Sequence, residues 1–197
     1  EALPHMALLP GFVNTHSHVF QRALRGHTHR ALSEHDTFWT WRRAMYAEAQ
    51  RLDPDLLYKS AFSTYREMLA AGYSSVGEFH YVHHQRDGRP YARENAMAEA
   101  IIEAGRDVGI RVVRILVAYA QSGFNQPADA YQLRFCDASI DAYLARVDVL
   151  RAMDTLSIGL APHSVRAVPD RWLTAIADYG RKYALPLHIH ADEQRSE

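Results

Sequence analysis

The pair His16 and His18 closes an apolar stretch near the start of the chain, in Leu8-Leu9-Pro10-Gly11-Phe12-Val13-Asn14-Thr15-His16-Ser17-His18. A second cluster closes another apolar stretch near the far end, in His188-Ile189-His190-Ala191-Asp192-Glu193. Residues two apart on a β-strand point to the same face. His16 and His18 can therefore offer two imidazoles to one cation, and a later strand-end histidine can supply a third. Imidazole suits zinc and iron, and a catalytic zinc keeps one position open for water. The chemistry implied is metal-dependent hydrolysis. Taken alone, the paired histidines read equally well as a polar turn after a strand. A second strand ending in histidine favours the metal.

Elements that place these side chains follow from periodicity and punctuation. Leu9 to His16 reads as a short buried strand. Thr37 to Gln50 is helix-like and aromatic-rich. Pro54 to Ala70 is a second helix, with Asp53 as N-cap ahead of Pro54 and Gly72 as its stop. Tyr73 to Phe79 is a strand, Arg93 to Val108 an amphipathic helix ended by Gly109, and Ile110 to Tyr119 a strand dense in Val and Ile. Asp137 to Met153 is a helix, Leu156 to Ala161 the fourth strand, Pro169 to Tyr183 a helix, and Leu185 to His190 the fifth strand.

Strand, long helix, strand is the rhythm of parallel βαβ units. It fits a doubly wound sheet or a (β/α)₈ barrel. Polar residues gather where strands end: His16 and His18, Glu78 and His80, His163, His188 and His190. Barrel enzymes build their active sites at the C-terminal ends of their strands. No Gly-rich phosphate loop follows the first strand, as a nucleotide-binding sheet tends to show. The expected fold class is therefore α/β, a TIM-like barrel. A complete barrel needs eight strands and about 250 residues. Residues 1–197 are thus expected to form one partial barrel domain, strands one to five, truncated after about strand five.

Composition narrows the class further. Hydrophobic residues make up 48% of the 197 residues and charged residues 23%, as in a globular protein that is soluble. The formal net charge of -1 gives no electrostatic case for nucleic acid or a membrane surface. No apolar run approaches the roughly 18 residues of a spanning helix, and no secretory signal is evident. Cys136 is the sole cysteine, which excludes an intrachain disulfide and points to a reducing, cytoplasmic setting. Histidine is abundant, at 12 residues, and it concentrates at the ends of apolar runs.

The run Leu9 to His18 resembles the first-strand signature of the amidohydrolase superfamily. The resemblance implies a (β/α)₈ barrel whose first strand supplies two metal-binding histidines and whose fifth supplies another. It also implies a histidine at strand six and an aspartate at strand eight. The family's strand-five pattern, histidine then glutamate three later, matches His190 and Glu193. Many two-metal members carry a carboxylated lysine at strand four. Here that strand ends in His163, and Lys59 and Lys182 lie off the predicted strands, which favours one metal.

Within the superfamily the match narrows to the formimidoylglutamate deiminase family. The motifs are His18-Val19-Phe20-Gln21-Arg22-Ala23, Phe38-Trp39-Thr40-Trp41-Arg42, Glu78-Phe79-His80-Tyr81-Val82-His83-His84, Ala161-Pro162-His163-Ser164-Val165-Arg166-Ala167-Val168 and His188-Ile189-His190-Ala191-Asp192-Glu193-Gln194. The implied reaction converts N-formimino-L-glutamate and water to N-formyl-L-glutamate and ammonia, in histidine breakdown. It implies His16, His18 and His190 as ligands of one divalent metal ion, zinc before iron. It implies Glu193 as the catalytic proton carrier, general acid–base work. It implies Gln21, Arg42, Tyr81, His163 and Arg166 as substrate-binding residues, and arginine suits a dicarboxylate because it matches a carboxylate with two parallel hydrogen bonds.

Taken singly, these residues have ordinary readings. Glu193 is a solvated loop carboxylate, Arg42 a helix surface charge, Arg166 a helix-entry ion pair, and Tyr81 a half-buried aromatic. Their shared placement after strand ends lifts them together. His188 shares a face with His190 and competes as ligand, but only His190 has the glutamate at the family spacing. His27, His29 and His35 belong to a segment that can shape a lid. His83 and His84 read as structural, and Trp39 and Trp41 as packing that can wall a pocket.

Two other readings remain open: a deaminase of the same superfamily acting on a cyclic amidine such as a purine or pyrimidine, and a non-catalytic metal-binding fragment. Arg42 with Arg166 argues against the first. For the second, no strand-six histidine or strand-eight aspartate falls within residues 1–197, so these residues alone are expected to be inactive or nearly so. The expected partner is a small dicarboxylate, with a homodimer as one assembly open to the full-length protein.

Overall fold

The computed structural model describes residues 5–28, 38–153, 157–193 and 197. Its elements are β1 (Phe12–Ser17), a 3₁₀ turn (Val19–Leu24), α1 (Phe38–Ala49), α2 (Pro54–Ala70), β2 (Tyr73–His80), α3 (Ala96–Val108), β3 (Arg111–Ala118), the short strands β4 (Gln121–Gly123) and β5 (Gln126–Pro127), a 3₁₀ turn (Leu133–Phe135), α4 (Ile140–Arg151), β6 (Ser157–Pro162) and α5 (Asp170–Tyr183). The main sheet runs β1-β2-β3-β6 with every neighbour parallel. Strand order therefore follows chain order without reversal. A doubly wound sheet reverses at its switch point, whereas a barrel wall does not. The fold is α/β, a section of TIM-like barrel wall. Among the described residues, no helix is long and apolar enough to cross a membrane.

The predicted punctuation operates as expected. The Asp53 side chain accepts a hydrogen bond from Leu56 N at 2.8 Å with Pro54 in the first turn, so α2 starts there. Gly72 and Gly109, at φ +88° and +83°, stop α2 and α3. Other boundaries differ. The first strand begins at Phe12 rather than Leu9, because Pro10 has no N–H to give a ladder and pairing starts with Phe12 N to Gly72 O at 2.9 Å. α4 begins at Ile140 rather than Asp137, because Ser139 takes the N-cap and accepts from Ala142 N. Thr37 lies outside the described residues.

The predicted fifth strand, Leu185 to His190, is a correction. It docks beside β6 through two isolated parallel bridges, Leu160 to Leu187 and Ser164 to His190. The backbone bonds are Leu160 N to Pro186 O, His188 N to Leu160 O and His190 N to His163 O. Pro186 has no N–H, and the pairing runs along one side only, so no continuous ladder forms.

α2 packs on β2, α3 and α4 on β3, and α5 on β6. One buried cluster joins Phe79, Tyr81, Ile115, Val117 and Tyr119 to α1, α2 and α3; a second joins Leu116, Leu160, Tyr143 and Trp172. Gly77 matters to the site. A Cβ there would stand 2.6 Å from the Thr15 carbonyl, so glycine lets β1 lie close against β2 just below the paired histidines.

Candidate metal centre and adjoining cleft

His16 lies within β1, and His18 follows its end. The chain then turns sharply into the Val19–Leu24 segment, and Glu78 holds that turn. Its carboxyl accepts from Val19 N at 2.8 Å and lies 3.4 Å from the Tyr65 hydroxyl. Complete burial pushes the Glu78 carboxyl up to about 8, although these hydrogen bonds act in the opposite direction. The register pairs Ser17 with Glu78, so the brace comes from the neighbouring strand at the same level.

The nitrogens of three imidazoles converge. His16 Nε2 lies 3.0 Å from His18 Nε2 and 3.1 Å from His190 Nε2. His16, His18 and His190 form the only such group of three potential ligands among the described residues. His18 Nδ1 lies 2.9 Å from the Phe79 carbonyl. A carbonyl only accepts, so Nδ1 carries the hydrogen and Nε2 is left with its lone pair facing the other two rings. The His190 ring is held by stacking on Phe79, centroids 4.3 Å apart. Burial lowers His18 to about 3 and His190 to about 4, and His16 is lowered by the same cause. All three are therefore neutral near pH 7, as ligation requires. His188, the competing candidate, is not in the group.

A cleft of about 490 Å³, counted to its open mouth, adjoins the histidines. Gln21, Arg42, Tyr81, His163, Arg166 and Glu193 all line it, together with His18 and His190. They arrive from the turn after β1, from α1, from the ends of β2 and β6, and from the segment after α5 that docks beside β6. The Gln21 amide donates to the Tyr81 hydroxyl at 2.9 Å. His163 stands 4.8 Å from the His190 ring and 4.7 Å from Tyr119. Arg42 lies over the faces of Trp39 and Tyr46, at 5.2 and 5.0 Å.

A family model described as the amidohydrolase family matches residues 7–197. The chain belongs to the amidohydrolase family.

Among its relatives, formimidoylglutamate deiminase of Pseudomonas aeruginosa is 43% identical over 97% of this chain, and the match spans 43% of that protein. The 5-methylthioadenosine/S-adenosylhomocysteine deaminase of Desulfovibrio desulfuricans is 28% identical over 96% of the chain and 37% of its own length. An amidohydrolase from Brucella melitensis superposes with a TM-score of 0.86 at 36% identity, over 95% of this chain and 42% of that one. This amidohydrolase chain thus spans about two fifths of the length of the relatives it matches.

Two cleft residues of this amidohydrolase pair with each other. Arg166, 7% exposed, donates to Glu193 and to Glu197. The turn between His190 and Glu193 passes through Asp192 at φ +56°, which short polar side chains tolerate. Burial raises the Glu193 carboxyl while Arg166 pulls it down; the net direction is up. A carboxylate so placed holds a proton more readily than one in water.

The sequence reading missed several residues here. Phe79 holds the His18 and His190 rings, and the period-two relation to Tyr81 could have flagged it. Tyr46 sits one helical turn from Arg42, and Tyr119 sits just past the end of β3; both line the cleft. Gln132 comes from a loop, and no periodic signal marks it. Trp41, read first as packing, both packs against the core and walls the cleft. His83 and His84 are buried, with His83 Nε2 2.8 Å from the Val117 carbonyl, consistent with a structural role. His27 is exposed, and His29 and His35 lie outside the described residues.

Proposed function

We propose that this chain supplies the metal-binding histidines and most of the substrate pocket of a formimidoylglutamate deiminase, acting on N-formimino-L-glutamate. The observation that carries this reading is convergence. Six residues chosen from five separate motifs line a single cleft beside three convergent imidazoles. The 43% identity to the Pseudomonas aeruginosa enzyme supports the same substrate.

The donor set fits one divalent cation, with zinc preferred. Three neutral imidazoles leave room for a further ligand. A cation held by His16, His18 and His190 supplies the acidity that makes water a competent nucleophile near pH 7. The protein's own residues do the rest. Arg42 and Arg166 bind and orient the two carboxylates. Gln21 and Tyr81 form a hydrogen-bonded wall that fixes the formimino end, and His163 closes the pocket beside His190. Glu193, raised by burial, carries the two protons of the attacking water in turn to the departing nitrogen; the C–N bond breaks as the carbonyl forms, and the nitrogen leaves as ammonia. Because Arg166 holds Glu193 in the absence of substrate, a carboxylate arriving at Arg166 competes for that cation and loosens Glu193 for proton transfer.

The test uses the full-length protein, metal-loaded. It should release ammonia from N-formimino-L-glutamate and lose that activity on chelation. Release of ammonia from a purine or pyrimidine amidine instead, with none from formiminoglutamate, would assign it to the cyclic-amidine deaminases.

A further inference from the structure

Beside Arg42, two phenols and a buried amide form a closed hydrogen-bond arrangement that the proposed chemistry has not yet used. Gln132 is fully buried. Its Oε1 accepts from the Asp129 backbone N–H at 2.9 Å. A backbone N–H can only donate, so the oxygen of the amide must face Asp129 and the nitrogen must face the other way. Nε2 then donates one hydrogen to the Tyr46 hydroxyl at 3.0 Å and the other to the Tyr119 hydroxyl at 2.8 Å. Arg42 Nε also donates to Tyr46.

Proton accounting fixes the rest. A phenolic oxygen has two lone pairs and one hydrogen. The Tyr46 oxygen already accepts from Arg42 and Gln132, so it has no lone pair left for Tyr119. At 3.4 Å the Tyr46–Tyr119 contact is long, and any hydrogen in it comes from Tyr46, because the Tyr46 oxygen has no lone pair left to accept from Tyr119. Tyr119 then accepts twice, from Gln132 and Tyr46, and its own hydrogen has no acceptor within this network. Tyr119 lines the cleft, with its ring 4.7 Å from His163. Burial keeps both phenols protonated. An O–H donor on a residue that lines a cleft next to an arginine suits a carboxylate oxygen.

We propose that Tyr119 donates its phenolic hydrogen to one carboxylate of the substrate alongside Arg42, and that Gln132 is the positioning residue that sets the direction of that donor. This rests on the dicarboxylate reading above. It explains why a loop amide is buried between two aromatic residues 86 and 13 positions away.

The test measures binding of N-formyl-L-glutamate by calorimetry to the full-length, metal-loaded protein. It also uses the two monocarboxylate analogues, N-formyl-4-aminobutyrate and N-formyl-2-aminobutyrate. Tyr119→Phe should weaken N-formyl-L-glutamate about 10- to 100-fold, the range for a hydrogen bond to a charged group. It should weaken only the analogue that keeps the contacted carboxylate. Gln132→Met should give a similar loss in the wild-type background and a much smaller one in the Tyr119→Phe background. A Tyr119→Phe protein that binds all three ligands with wild-type affinity would overturn the proposal, and additive losses in the double variant would overturn the part assigned to Gln132. The deiminase reading fails separately. Tyr119-dependent dicarboxylate binding without ammonia release sinks that reading and leaves this one standing. Ammonia release with unchanged Tyr119→Phe binding does the reverse, and wild-type protein that binds none of the three ligands sinks both.

Discussion

The molecule buries two sets of histidines and arginines, one at the cleft and one away from it. They differ in where their polar atoms go. Away from the cleft, several of these groups are matched inside the protein. Arg134 donates to the carbonyls of Ala49, Leu52 and His84. Arg146 forms a two-point bond with Asp137, at 2.8 and 3.0 Å, with both residues buried. His83 is matched to the Val117 carbonyl. At the cleft, three imidazole nitrogens face one another and cannot satisfy one another as neutral rings. Arg42 rests on aromatic faces, a phenol and the Ser122 carbonyl, with no carboxylate of the described residues bonded to it. Burial is shared by both regions. At the cleft the open bonding capacity borders space that a ligand can enter, and that is where a ligand has something to gain.

The contrast breaks most visibly at the arginines. Arg146→Met leaves Asp137 as a buried carboxylate without its partner, which typically costs about 3–5 kcal/mol. Thermal unfolding should show a large drop, with little change in substrate affinity for the fraction that stays folded. Arg42→Met should do the opposite. Stability should fall by less than about 1 kcal/mol, while KM for the dicarboxylate rises about 10- to 100-fold. Equal stability losses in the two variants would show that the distinction is not real.

Glu78 lies between the two regions, since it is fully buried yet holds the turn that aims His18. Its folded value of about 8 lies above the ordinary 4.5. Its contribution to stability is therefore fully present below about pH 4.5 and is lost as pH rises through about 8. Glu78→Gln keeps the acceptor oxygen without the charge. It should flatten that part of the stability-versus-pH curve between pH 5 and 9. An unchanged slope would mean that the buried carboxyl is not the group responsible.

Arg114 is the fullest exception away from the cleft, where His80 Nε2, His84 Nδ1 and Arg134 Nε also lack partners among the described residues. It is 1% exposed, its three guanidinium nitrogens lack hydrogen-bond partners among the described residues, and burial lowers it to about 10. With nothing offsetting its desolvation, Arg114→Met should be neutral or stabilising by about 1 kcal/mol in a denaturant melt. A loss of more than about 2 kcal/mol would reveal a partner for this cation.

Local rules made much of this legible. Asp53-Pro54, Gly72 and Gly109 mark helix ends through capping and backbone geometry, which depend on neighbours in sequence. Strand periodicity suggested His16 and His18, whereas Gln21, Arg42, Tyr81, His163, Arg166, His190 and Glu193 rested on the family resemblance as well as on strand ends that collect at one rim. The fifth strand was not legible, because its pairing depends on what lies beside it, and Pro186 removes a donor. Nor was the pairing of Arg166 with Glu193, or the seat of Gln132 between Tyr46 and Tyr119. Those contacts join positions far apart in the chain, and no periodicity encodes them.

Metal content of the full-length protein tests the central claim most directly. Wild-type protein should carry close to one equivalent of divalent metal by elemental analysis. His190→Ala, folded by circular dichroism, should carry less than about a tenth of that, since removing one of three ligands forfeits most of the affinity. A metal-free wild type, or a His190→Ala variant that keeps its full equivalent, would contradict the account.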